Sequence, residues 1–328
     1  AVFGSAVYDL FSGFADAWAD DGVNYGGHYA EVTVTATDGL KILAGRRISQ
    51  LPAPAGDGEL SGARVARVLD AAGWYTDHRR VAAGDSPLAG TAMGDTALAL
   101  LQLAADSEIG ELYVDGAGFL VFRNRHAILT ETRSTVPQAV FGDSPGTAHT
   151  ISGATLAELP YASVGRANDD TTLASLVQAA RAGGTEQAAQ SAASIRKYLF
   201  PRTYSRDDLL LQTDAEALAW AQWVLAVSLT AEDRFETLAV NPLRDPANLF
   251  PQVLGREIGD RIQVWRRPPG VASPVVRDCF IRGIAHEFDA SSQTWRTTWT
   301  LQDASRYTGF LILDDPVNGK LDTAKLAF

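Results

Sequence analysis

"GREIGDRIQVWRRPPG" (255–270) runs from a glycine turn into an alternating strand and leaves through a double proline. Ile262, Val264 and Arg266 point to one face and Arg261, Gln263 and Trp265 to the other, so the strand has an apolar side and a hydrogen-bonding side. Pro268-Pro269-Gly270 ends the pairing sharply, because proline brings no N–H to a ladder. The same pattern surrounds it. "RFETLAVNP" (234–242), "PVVRDCFIRGIAHEF" (274–288), "TWRTTWTLQ" (294–302) and "GFLILDD" (309–315) read as strands, with "ANLFPQVLG" (247–255) as a short helix. Strands at this density, separated by turn residues, predict an antiparallel sheet or small barrel over roughly 234–314. No residue type suited to catalysis stands near the paired arginines, which points to a structural role for this strand.

Upstream lies the best helix of the chain, 214–229. Thr213 and Glu216 form a T-x-x-E capping box ahead of "ALAWAQWVLAVSL", which is apolar nearly all round and so predicts a helix packed on two sides. Earlier still, "SGARVARVLDAAGW" (61–74) and "GDTALALLQLAADSEIG" (94–110) read as amphipathic helices, the second starting at Asp95 and ending at Gly110. "ELYVDGAGFLVFRNR" (111–125) gives two strands around Asp115-Gly116, a hairpin signal. Near the start, "AVYDLFSGFADAW" (6–18) reads as a strand or bent hairpin arm and "HYAEVTVTATD" (28–38) as a strand, with one or two helical turns following. Turn formers dominate 134–172, which predicts loop and short strands. "TLASLVQAARAGG" (172–184) suits helix or strand, and "TEQAAQSAASIRKYLF" (185–200) a short helix.

The net charge of −11 and pI near 4.9 argue against sequence-independent grip on nucleic acid, which needs clustered Lys and Arg. Repulsion would keep passing DNA from sticking; solubility alone also accounts for the acidity. No run approaches the ~18–20 apolar residues of a membrane span. The single cysteine, Cys279, lies in an apolar alternation, where packing is the expected role. The start "AVFGSAVYDLF" lacks the features of a signal peptide and reads as the inside of a strand, with an N-terminal portion missing.

His28, His78, His126, His149 and His286 show no metal-ligand spacing, and no nucleophile elbow, Walker loop or dinucleotide fingerprint is present. No catalytic, cofactor-binding or metal-ligating residue is therefore assigned, and no enzymatic activity is expected. Asp20-Asp21, Asp169-Asp170, Asp207-Asp208 and Asp314-Asp315 are adjacent acidic pairs among turn residues, where capping and solvation explain them. "DDPVNG" (314–319) lacks the spaced carboxylates of a calcium loop. Trp295 and Trp299, four apart on one strand face, form a core or subunit-contact stripe, or else an aromatic sugar platform.

The order of segments carries more than any one of them. "HYAEVTVTATDGLKILAGRRI", "GARVARVLDAAGW", "DTALALLQLAADSEIGELYVDGAGFLVFRNRH", "GGTEQAAQSAASIRKY", "TDAEALAWAQWVLA", "LGREIGDRIQVWRRPPG", "DCFIRGIAHEF" and "TWRTTWTLQDAS" together resemble the minor tail proteins of long-tailed bacteriophages, especially those of actinobacteria, over about residues 6–314. Those proteins look like the tail-tip, or baseplate, hub. The resemblance implies an α+β fold with two β-barrel-like tail-tube domains and small α/β domains between them. It divides the chain into 1–50, the remaining part of a first tube-like domain; 51–133, a small α/β domain; 134–200, an irregular β-rich connector with a short helix; and 201–328, a second barrel-like tube domain with helix 214–229.

The implied role is that of a virion protein at the distal tail tip, without cofactor. It would be a homotrimer that closes the tube lumen and opens for DNA ejection. Its implied neighbours are a distal tail ring protein, the tape measure protein and other tail-tip proteins, with DNA passing transiently and without specific binding. Arg266, Arg267, Trp265, Trp295 and Trp299 are the candidate interface residues, the arginines meeting acidic partners at a subunit boundary. Two alternatives stand beside this reading. One is a tail-borne or secreted hydrolase of cell-wall glycans, using Asp207 and Asp208 or the tryptophan pair; the other is the hub of a contractile tail or of a tail-like gene-transfer particle.

Overall fold

The computed structural model of the chain describes residues 1–23, 30–229 and 233–310, and the fold is α+β. A short antiparallel pair, β1 (Val2–Phe3) and β2 (Ala6–Val7), precedes a longer antiparallel hairpin, β3 (Phe14–Val23) and β4 (Ala30–Thr37). Trp18 faces Val34 across this hairpin, and no third strand joins it among the described residues. An isolated two-stranded ribbon is marginal in water. Its base is held by the Asp16 carboxylate, which takes Lys41 and the Thr37 hydroxyl.

The α/β unit begins with α1 (Leu40–Gly45) and continues through β5 (Glu59–Leu60), α2 (Ser61–Ala72), β6 (Arg79–Val81), β7 (Pro87–Leu88), α3 (Ala97–Glu108), β8 (Glu111–Val114) and β9 (Leu120–Arg123). Helix α2 buries Val65, Val68 and Leu69 and stops where Gly73 turns left-handed at φ 75°. Helix α3 departs from expectation at both ends. Thr96, not Asp95, accepts the capping bond from the Ala99 N–H, and Asp95 instead accepts from the Thr96 N–H. The left-handed residue is Ile109, at φ 59°, one position before Gly110. The β8–β9 hairpin forms around Asp115, whose carboxylate accepts the N–H groups of Ala117 and Phe119, while Gly118 supplies the positive φ. Gly116 serves otherwise: a Cβ there would sit 2.1 Å from the Asp9 carbonyl oxygen.

Two single-turn helices, α4 (Ala127–Thr130) and α5 (Thr132–Thr135), lead to β10 (Val140–Gly142), β11 (Ala148–Ile151), β12 (Ala154–Pro160) and β13 (Ser163–Asn168). Then come β14 (Leu176–Arg181), β15 (Gln187–Gln190), α6 (Ala192–Tyr198), β16 (Thr203–Leu209) and α7 (Asp214–Ser228). The alanine-rich 185–191 stretch, expected as helix, begins with strand β15 because it pairs with β14; ladder pairing and the cover of α7 override local propensity. Both halves of the Thr213–Glu216 capping box form. Helix α7 packs on two sides as expected: Trp220 enters the α/β core and donates to the Asp106 carbonyl at 2.9 Å, while Trp223 stacks on Phe310.

The last elements are β17 (Asp233–Val240), α8 (Pro246–Gly255), β18 (Arg261–Arg266), β19 (Val275–Asp289) and β20 (Thr294–Asp303). They join the earlier strands in one eight-stranded sheet of order β11-β12-β10-β18-β19-β20-β17-β13. Strand β10 runs parallel to both β12 and β18; the other pairings are antiparallel. Segment 134–200 is therefore no connector in space. Its strands β10–β13 belong to the same sheet as β17–β20, whereas residues 174–221 pack with α2, α3 and β9 in the α/β core, around Val65, Leu101, Phe122, Val177 and Trp220. The sheet has a separate core in which Leu249 and Val253 of α8 cover Phe141, Phe235, Ile262, Ile281 and Trp299. The strand expected at 309–315 lies outside the described residues beyond Phe310.

Trp299 is fully buried, edge-on to Phe141 at 5.3 Å between ring centroids, and its indole N–H has no partner in the core. Trp299→Ala is expected to cost about 3–5 kcal/mol as a cavity opens. Trp299→Phe costs less, because it also removes an unpaired buried donor. Guanidinium unfolding curves of the two variants check the order.

Candidate assembly interface

Strand β18 ends at Arg266, and the next residue turns back across its own sheet. The Arg267 backbone N–H donates to Asp143 at 2.7 Å, and its guanidinium reaches Asp143 at 2.8 Å and both oxygens of Glu158 at 2.8 Å. Glu158, on β12, has no exposed side-chain surface. It also accepts the Ser144 N–H at 2.6 Å and pairs with His149 Nε2 at 2.8 Å. Gly142 leaves it room, since a Cβ there would lie 2.1 Å from its Oε1. Trp265 completes the cluster, with its ring 4.2 Å from that of His149 and the Arg267 guanidinium 5.4 Å from its centroid. Burial pushes the Glu158 carboxyl up; the hydrogen bonds from Arg267, Ser144 and His149 outweigh that and hold it below the usual carboxylate range.

Arg267 thus finds acidic partners within its own chain, where the sequence reading had placed such partners at a subunit boundary. Arg266 differs: half-buried, it makes no side-chain hydrogen bond among the described residues. Trp299 is core, as above. Trp295 is half-buried on the same strand face, edge-on to Phe250 and close to His286 and Phe288. It lines a 790 Å³ recess with Ser163, Asn241, Asp289 and Arg296.

The residues named for a hydrolase do not converge. Asp207 and Asp208 are neighbours on β16, so they leave opposite faces, and Asp208 pairs with Arg206 at 2.6 Å. Asp169 is bound by Arg234 at 3.0 Å through both oxygens. His28, Asp314-Asp315, the 314–319 loop and the side chains of Asp20-Asp21 lie outside the described residues. Among those described, no three metal-ligating side chains cluster, and no helix is long and apolar enough to cross a membrane. Cys279 is buried, which pushes its thiol up. A 410 Å³ cavity does gather charge between the α/β unit and the loop before β18, but Asp115 is tied to Arg80 at 2.8 Å and Glu131 to Arg123 at 2.7 Å. Burial raises the Glu257 carboxyl on its wall, against the pull of Arg133 and with the nearby Asp115 and Asp260 charges.

The surface that sequence reading passed over is apolar. Trp18 is 70% exposed on the β3–β4 hairpin beside Val32 and Val34, which are also exposed, and Tyr75 is 76% exposed at the hairpin's base. There a 540 Å³ recess is walled by Phe14, Ile42, Trp74, Tyr75 and His78. The signal for it was present in Trp18 and the valine alternation, but their exposure follows from the hairpin's having no third strand among the described residues.

Arg267→Ala strips the buried Glu158 of its main counter-charge and is expected to cost about 2–3 kcal/mol at neutral pH. Because the Glu158 carboxyl is held low, its contribution is present above the ordinary carboxylate pKa of about 4.3 and fades as pH falls through the lowered value. The gap between wild type and variant therefore narrows in acid, which urea titrations at pH 7 and pH 3 resolve.

No protein-family model and no curated protein matches the sequence. Solved structures do. A tail protein from Neisseria meningitidis MC58 superposes with a TM-score of 0.59 at 15% identity, covering 89% of this chain and 80% of that one. The 43 kDa tail protein of prophage MuSo2 from Shewanella oneidensis gives 0.56 at 14% identity, covering 90% and 80%. A chain of a native gene transfer agent virion reaches 0.45 at 18% identity over 87% and 62%, too distant to bear on the fold. With its eight-stranded sheet, α/β unit and projecting hairpin, the chain shares the fold of the Neisseria and Shewanella tail proteins.

Proposed function

We propose that the chain is a structural subunit of a phage tail, assembled as a homotrimeric hub at the distal tip that closes the tube lumen and opens for DNA ejection. The observation that carries this reading is the β3–β4 hairpin, a two-stranded ribbon with exposed Trp18, Val32 and Val34. Such a ribbon gains its stability from a neighbour. Among the described residues the eight-stranded sheet likewise ends in β11 and β13, an edge geometry that suits pairing across a subunit boundary. Neighbouring subunits would then complete the barrel-like tube walls, with Arg266 and Trp295 at or near the contacts. Likeness in fold to two tail proteins supports the setting. The acidic balance of −11 suits a lumen along which DNA slides without capture. A distal tail ring protein, the tape measure protein and other tail-tip proteins are the expected neighbours.

Native mass spectrometry of the purified chain is expected to show trimers, and a monomer at tens of micromolar would overturn the reading. Trp18→Glu with Val34→Lys, which keeps opposite charges across the strand pair, is expected to weaken assembly at least about tenfold, given that interface tryptophans carry ~2 kcal/mol or more. The circular dichroism of this variant stays that of the wild type, because both side chains are exposed.

A further inference from the structure

Glu257 stands where three parts of the molecule meet. The loop 256–260 belongs to the eight-stranded sheet, yet it is bound to the α/β side: Arg133 of α5 donates to Asp260 at 2.6 Å, and the Ser134 hydroxyl donates to the Gly259 carbonyl at 2.8 Å. Arg282 of β19 reaches Glu111 of β8 across the same junction. The N-terminal segment closes it from the third side, with the Asp9 carbonyl against Gly116 and the Tyr8 ring against Gly255.

Glu257 lines a cavity on each side of this junction. In the 410 Å³ cavity it shares the walls with Arg80 of β6, Tyr113 and Asp115 of the β8 hairpin, Arg123 of β9, and Glu131 and Arg133 around α5. In the other, of 150 Å³, it meets Asp9 of the N-terminal segment, its own neighbour Arg256, and His286 of β19. The arginines facing it are engaged elsewhere: Arg80 with Asp115, Arg123 with Glu111 and Glu131, Arg133 with Asp260, and Arg256 with Asp260 at 3.5 Å. Burial lowers the His286 imidazole, which leaves it neutral near pH 7. The Glu257 carboxylate itself accepts no hydrogen bond among the described residues. An ionised Glu257 would therefore face the Asp115 and Asp260 charges, with Arg133 and Arg80, the cations that pull on it, already paired to those same two carboxylates.

We propose that Glu257 is a proton-operated latch between the α/β unit and the eight-stranded sheet: neutral, it lets loop 256–260 close against the Asp115 turn and the N-terminal segment, and ionised, it drives them apart. The direction of its titration agrees. Burial, then Asp115 and Asp260, raise the carboxyl against the opposing pull of Arg133 and Arg80. A raised acid favours the closed junction below the ordinary glutamate range and loses that benefit as pH rises through the folded value. The latch acts within one subunit and stands whether or not the chain trimerises.

Glu257→Gln fixes the neutral form. Hydrogen exchange of the full-length chain, compared with wild type at equal pH, tests it. At pH 7.5 the variant is expected to slow exchange of residues 8–12, 112–118 and 256–260, by about tenfold for each unit by which the carboxyl is raised. At pH 4 the two proteins exchange alike, and β19–β20 exchanges alike at both. No slowing at pH 7.5, or the same slowing at both pH values, would overturn the proposal.

Discussion

A carboxylate with no exposed surface must find its counter-charge inside the protein, and the order of the large sheet depends on how Glu158 does so. Strand β10 is three residues long and lies parallel between β12 and β18, joined to each by only a short ladder. Parallel pairing is slightly less stable per residue than antiparallel, and both ladders are short. Arg267 adds a tie across them. It leaves the end of β18, crosses β10 and binds Asp143 and Glu158, so that one side chain spans three strands. Trp265 and His149 close over the group and thin the water around it, which strengthens the pairing.

Two apolar cores flank a polar seam. The α/β core and the sheet core are each built from aliphatic and aromatic side chains, whereas the junction between them runs through Glu111, Arg123, Arg133, Ser134, Asp260 and Arg282. An apolar seam would bury its area once and stay closed. A seam of ion pairs and small cavities is held by charges whose balance shifts with one proton. Such a boundary would suit the sealing and opening proposed above, and the hairpin adds an exposed apolar surface of Trp18, Val32 and Val34.

Local signals were legible where they act over a few residues. The Thr213–Glu216 capping box, the Asp115 hairpin and the Ile262/Val264 alternation all appear in the structure at their expected places, because each is a matter of backbone conformation or strand period. The misreadings are of another kind. Residues 187–190 carry helix formers but pair as a strand, and Ile109 takes a left-handed conformation beside a glycine that could have done so. Reading along the chain also made 134–200 a connector, although its strands are divided between two sheets. For the site, the sequence singled out Trp265, Arg266, Arg267, Trp295 and Trp299; within the chain Trp299 is core and Trp265 and Arg267 join the Glu158 cluster, contacts that lie across space from them.

The sequence by itself determined the main helices and strands and the acidic charge, since propensity, periodicity and net charge need no knowledge of what lies across space; the α+β class came from the resemblance. Tertiary structure alone decided that Arg267 would meet Glu158, 109 residues away, that β10 would run parallel between two strands, and that Glu257 would stand among arginines already paired with other carboxylates. The reason is physical. The energy of a buried charge depends on which groups surround it in three dimensions, and "GREIGDRIQVWRRPPG" names only one side of each of those contacts.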